Sequence, residues 1–137
     1  MPLTILITVF SLCVGLCAGC SNASNGDRDS SVARAFEQHR KDVLVEDEGV
    51  VLRVLSDDTS GRTHQRFIVR LLSGQTVLIE HNTDLAPRVE GLGVGDSISF
   101  SGEYVWNDKG GLVHWTHDDP AGRHPSGWIK HNGRTYR

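Results

Sequence analysis

Six of the seven histidines in this 137-residue chain lie after residue 60: His64, His81, His114, His117, His124 and His131. Three of them fall in one run, His114-Trp115-Thr116-His117-Asp118-Asp119-Pro120-Ala121-Gly122-Arg123-His124. Imidazole and carboxylate together are the donors that a divalent transition metal uses. Read that way, His81, His117, Asp118, Asp119 and His124 are the candidate metal ligands. His64 or His114 would then be the general base of a metal-dependent hydrolase, acting on phosphodiesters in a nuclease-like way. A second chemistry needs no metal. Arg62, Asn82, Tyr104, Trp106, Trp115 and Trp128 are candidate ligand-binding residues, with aromatic faces to stack a ring. A third reading is structural, because Asp-Asp-Pro-x-Gly is ordinary turn chemistry and His–Asp contacts often fix loops.

Spacing sets a condition on any shared site. His114 and His117 are three apart, so on one continuous strand they face opposite ways. The strand must end between them if both are to serve one centre.

The elements that would position these groups follow from the pattern. Ser31–Val43 carries Val32, Ala35, Phe36, His39 and Val43 at helical spacing, with Ser31 as N-cap. An N-terminal helical unit is therefore expected over residues 31–46, ahead of a β domain at 47–137. Gly49–Asp58, His64–Leu72 and Thr76–Asn82 read as strands separated by turn clusters. Asp84–Val89 reads as a short helix with Asp84 as N-cap and Pro87 in its first turn. Ser97–Trp106 alternates Ile98, Phe100, Tyr104 and Trp106 against serines and Glu103. An Asn-Asp-Lys-Gly-Gly turn leads into Leu112–His117, and Asn132-Gly133 centres a last hairpin.

Three strands, a short helix and two strands is the order of the OB-fold. The expected class is thus all-β with short helices: a small five-stranded OB-like Greek-key barrel with a C-terminal hairpin extension. An SH3-like barrel is the main competitor. In an OB barrel strands three and five run side by side, and strands two and three are antiparallel. His64, His81, Asn82, His117 and Asp118 then converge on one pole, near Asp84.

The N-terminus carries a separate signal. Residues 3–19 hold no charged side chain, and small residues follow the apolar run. This reads as an export signal over residues 1–19; a retained anchor, which needs about 20 apolar residues, is the rival. Leu16-Cys17-Ala18-Gly19-Cys20 resembles a lipobox, which makes Cys20 the lipidated first residue of the mature protein. Cys17 stands where Leu is usual. Residues 20–30 are a polar tether reaching about 17 Å. The expected partners are the membrane, through lipid on Cys20, and an unidentified ligand or envelope protein. Ser21 after the Cys favours the periplasmic face of the outer membrane.

Composition narrows the rest. All three cysteines precede residue 21, so the domain has no thiolate site and no disulfide. The net charge of −3 gives no strong nucleic-acid signal. Arg62, Arg66, Arg70 and Arg88 read as a solvated strand face before an anion patch.

Several long segments carry a resemblance: His81-Asn82-Thr83-Asp84-Leu85-Ala86-Pro87-Arg88, Gly102-Glu103-Tyr104-Val105-Trp106-Asn107, and His114-Trp115-Thr116-His117-Asp118-Asp119-Pro120 with His124 and Gly127-Trp128-Ile129. Together they resemble a small exported bacterial family catalogued as a domain of unknown function. The resemblance covers about Glu48–Tyr136 and implies one domain type, with no activity attached. A looser likeness to staphylococcal-nuclease-type barrels transfers none of that family's catalytic residues.

Overall fold

The computed structural model describes residues 30–137. The export segment, the lipobox and Cys20 lie outside the described residues. Helix α1 (Ser31–Glu37) is followed by β1 (Lys41–Val54), β2 (His64–Leu71), β3 (Thr76–Asn82), β4 (Ser97–Val105), β5 (Leu112–His114), β6 (Trp128–His131) and β7 (Arg134–Tyr136).

The strands hydrogen-bond in the order β1-β2-β3-β5-β4, and β1 closes the ring by pairing with β4. This is the closed five-stranded barrel that the element order implied, with the β6–β7 hairpin added to β4. β3 and β5 are the parallel neighbours. One long strand does the closing. Lys41–Val50 of β1 pairs with β4, while Gly49–Val54 pairs with β2. Gly49 belongs to both ladders, and a Cβ there would meet the Arg70 carbonyl. Val45, Val51, Phe67, Val69, Val77, Ile79, Ile98, Phe100, Tyr104, Val113 and Ile129 fill the barrel, all buried.

Two expected helices are corrected. The N-terminal helix ends at Glu37, not at residue 43 or 46. Its N-cap is Ser30, whose Oγ accepts from the Ala33 N–H at 3.0 Å. His39 turns the chain out of the helix with φ 50°, and Arg40 N–H closes the end on the Ala35 carbonyl. Beyond it, Lys41–Glu46 bonds to β4, and that long-range ladder overrides the local helical spacing. The Asp84–Val89 segment forms turns rather than a helix. Asp84 does not cap it; its carboxylate accepts instead from the Thr63 N–H across the chain, at 2.9 Å. Leu112–His117 is also shorter as a strand than expected, ending at His114.

α1 lays Val32 and Ala35 against the barrel. Phe36 and His39 pack over Trp106, with His39 at 4.3 Å between ring centroids.

Candidate functional site

Antiparallel pairing sets His64 opposite Asn82 at the meeting of β2 and β3. β5, parallel to β3, delivers His114 and the residues after it to the same pole. A cleft of about 320 Å³ opens there. His64, His114, His117 and His124 line it, with Arg62, Asn82, Leu85, Trp115 and Arg123. The convergence inferred from topology brings His64, Asn82 and His117 to the cleft, with His81 beneath it against Thr116.

The condition on His114 and His117 is met in an unusual way. Trp115 has φ 51°, in the left-handed region that bulky residues rarely adopt. The strand ends and the chain reverses its facing between the two histidines, so both reach the cleft. Such a backbone persists only where its surroundings over-determine it. Here the indole stacks on two imidazoles, His114 at 4.9 Å and 8° and His124 at 4.4 Å and 16°. Trp115 still keeps 36% of its surface exposed at the mouth of the cleft.

Thr116 and His81 lock this arrangement from below. Both are fully buried. His81 Nε2 lies 2.9 Å from the Pro87 carbonyl, and Nδ1 lies 2.8 Å from Thr116 Oγ1. A carbonyl only accepts, so Nε2 carries the proton and Nδ1 accepts from the threonine hydroxyl. Burial pushes the His81 pKa down, against the Pro87 hydrogen bond. His81 is thus a neutral keystone with no lone pair left for a metal.

Asp119 is likewise engaged. Its carboxylate accepts from the N–H groups of Ala121 (3.1 Å), Arg123 (2.7 Å) and His124 (3.2 Å) and from the Arg123 guanidinium. The Arg123 side chain, ahead of these backbone bonds, holds the carboxyl down at about 2. Asp118 turns to Arg137 at 3.6 Å. The five candidate metal ligands therefore do not form one donor set, and among the described residues no group of three such side chains is placed to hold a metal ion. The turn-fixing role accounts for His81 and Asp119.

The remaining histidines divide into two kinds. His114 Nε2 meets Glu103 at 3.0 Å; His124 bonds the Pro125 carbonyl through Nδ1 at 2.8 Å and has Nε2 3.8 Å from the Asp119 carboxylate. His64 and His117 differ in having no carboxylate at Nε2 among the described residues. Each donates Nδ1–H to a backbone carbonyl, His64 to Arg62 at 2.8 Å and His117 to Asp118 at 2.7 Å. Each Nε2 is left as an acceptor without a partner among the described residues.

The expected ligand-binding set is split by the fold. Arg62, Asn82 and Trp115 line the cleft. Tyr104 does not; it is buried in the barrel, bonds the Gly110 carbonyl at 3.2 Å, and burial raises its pKa to about 12. Trp106 lies under α1. Trp128 lies on another face, with Lys130 4.3 Å from its ring centroid. Of the four arginines in the supposed patch, Arg88 pairs with Asp57 at 2.6 Å and Arg66 bonds the Ser56 carbonyl at 3.1 Å. Sequence reasoning missed Leu85, Arg123 and Thr116. Thr116 was hidden because strand alternation, carried past His114, faces it away from the position that the left-handed Trp115 gives it.

The electrostatics of the cleft are one-sided. Among the described residues no carboxylate lines it. The Arg62 guanidinium has no partner among the described residues, and Asn82 spends its Oδ1 on the Asp84 N–H at 3.0 Å, which leaves its amide N–H groups. The free side-chain donors at this pole are thus the Arg62 guanidinium and the Asn82 amide, beside the Nε2 acceptors of His64 and His117.

No curated protein matches the chain. A family model does, over residues 13–137, and the chain belongs to the family described as Protein of unknown function (DUF3465).

Proposed function

We propose that this domain is a ligand-binding module whose cleft takes a small molecule bearing an oxyanion, a phosphate ester or a carboxylate. One observation carries the reading: among the described residues the cleft walls hold an unpaired guanidinium and a free amide donor, and no acidic side chain. Hydrogen bonds to charged groups are the strong ones, and a guanidinium matches an oxyanion in two-pronged geometry. The volume suits a small ligand. A metal-dependent hydrolase has no comparable support, because His81 and Asp119 are committed to the loops.

Calorimetric titration with glycerol phosphate tests this. Arg62→Ala weakens binding about 10- to 100-fold, the loss of one charge-assisted hydrogen bond. Arg134→Ala, whose guanidinium pairs with Glu90 at 2.6 Å away from the cleft, leaves it unchanged. Equal binding of glycerol phosphate and plain glycerol, or an unaffected Arg62→Ala, would sink the proposal.

The module is carried on the cell envelope, in the same proposal, by lipid on Cys20. The support is the uncharged apolar run and the small residues before that cysteine. Metabolic labelling with a palmitate analogue tags the protein and fails to tag Cys20→Ser. Label retained in the variant contradicts the assignment.

A further inference from the structure

We infer that the same cleft cleaves phosphodiesters that carry a hydroxyl next to the ester oxygen, with His64 and His117 as the proton-transfer pair. The inference rests on the oxyanion reading above and adds a reaction to it.

Two imidazoles from distant parts of the chain line one cleft. His64 opens β2, and His117 follows the left-handed Trp115. Each is held in one tautomer by an Nδ1–H bond to a backbone carbonyl, at 2.8 and 2.7 Å. That fixes the ring and presents Nε2, the arrangement a general base or acid requires. The other two cleft histidines are committed elsewhere. His114 and His124 stack on Trp115, and each has a carboxylate at Nε2, Glu103 at 3.0 Å and Asp119 at 3.8 Å, although His124 too bonds a carbonyl through Nδ1. The wall and the working pair are thus separate groups.

The nucleophile follows from what the lining lacks. Among the described residues no serine, threonine, cysteine, aspartate or glutamate lines the cleft. The attacking oxygen is then the substrate's own, and a vicinal hydroxyl is already in reach of phosphorus. One Nε2 takes the hydroxyl proton as that oxygen bonds to phosphorus. The bond from phosphorus to the leaving oxygen breaks, and the protonated Nε2 of the second histidine delivers its proton to that oxygen. The products are a five-membered cyclic phosphate and an alcohol, and the two imidazoles have exchanged protonation states. Water then opens the ring with the roles reversed, giving a phosphomonoester and restoring both histidines. Arg62 and the Asn82 amide hold the non-bridging oxygens, where charge grows in the transition state.

The test uses the full-length protein in detergent with EDTA present. Uridylyl(3′→5′)adenosine and glycerophosphocholine each carry the vicinal hydroxyl, and the 2′-deoxy dinucleotide lacks it. Cyclic phosphate forms from at least one of the two hydroxylated diesters, and which one identifies a nucleotide or a glyceryl source. His64→Gln and His117→Gln each lower that rate about 100-fold or more. Binding of the 2′-deoxy dinucleotide, followed by calorimetry, persists in both. His64 is only partly buried, so His64→Gln decides the matter if His117→Gln fails to fold. Binding of the deoxy compound with no cleavage of either diester overturns the reaction and leaves the oxyanion reading standing. Cleavage undiminished in His64→Gln also overturns it. Absence of any binding removes both.

Discussion

Gly127→Ala lowers the stability of the domain by about 3 kcal/mol, at the upper end of overpacking costs because the obstructing atoms are backbone. Gly127 sits where three segments cross. A Cβ there would fall on the Trp115 carbonyl, 2.6 Å from the Ser101 carbonyl oxygen and 2.8 Å from Thr116 Cα. None of these is the end of a flexible side chain. Ser101 is in β4, paired with Trp128 of β6, and Trp115 is already in a strained conformation. Gly127 also donates its N–H to the His117 carbonyl at 2.9 Å, closing the loop that Asp119 staples inside. The methyl group therefore pushes the left-handed turn away from the barrel. The melting temperature falls by roughly 10–15 °C for a domain of this size. Glycerol phosphate binding is lost along with it, even well below the melting transition. Gly61→Ala is the control: nothing lies within 4 Å of its added Cβ, and its stability stays within about 1 kcal/mol of the parent. A Gly127→Ala protein that melts with the Gly61→Ala protein would show that the crossing is looser than described.

The barrel was legible because its information is periodic. β2 and β3 alternate buried and less buried residues almost without a break, and turn residues separate them. Strand order then followed from the element order, and it placed His64, Asn82 and His117 at one pole before any coordinates. What failed did so for local reasons. Lys41–Glu46 has no helix-breaking residue, and only its pairing with β4 shows it to be strand. His39, not glycine, makes the left-handed exit from α1, so the stop carried no composition signal. Trp115 hid its turn in the same way, and with it the inward position of Thr116. His81 reaches the expected pole, beside Thr116, but faces the core. Val77, Ile79 and His81 share one parity of β3, so the face that buries Val77 and Ile79 buries His81 as well. Asn82, on the other parity, is the residue that reaches the cleft. Tyr104 could have been withdrawn by the same argument, since it shares its parity with Ile98 and Phe100.

That buried parity gives His81 its consequence for stability. The folded state keeps the ring neutral, with its pKa pushed below the ordinary value of 6.5 by burial. The unfolded chain takes up a proton on His81 once the pH falls through 6.5. Below that pH the unfolded state binds more protons than the folded one, so unfolding free energy falls as the pH falls. The contribution of His81 is fully present above 6.5 and is lost progressively below it, by at most about 1.4 kcal/mol per pH unit, until the folded-state pKa is reached. Protonation would also turn Nδ1 into a donor facing the Thr116 hydroxyl, which is now its donor. His81→Gln cannot titrate and fits the site imperfectly. At pH 8 it is less stable than the parent by about 2–4 kcal/mol, from lost packing and a broken buried hydrogen bond. Urea unfolding of both proteins from pH 8 to pH 5 separates the two effects. The gap between them narrows as the pH drops below 6.5, because only the parent carries the His81 penalty. A gap that stays constant across this range would mean that His81 is charged or open to water in the folded state, and the keystone between Pro87 and Thr116 would not exist as drawn.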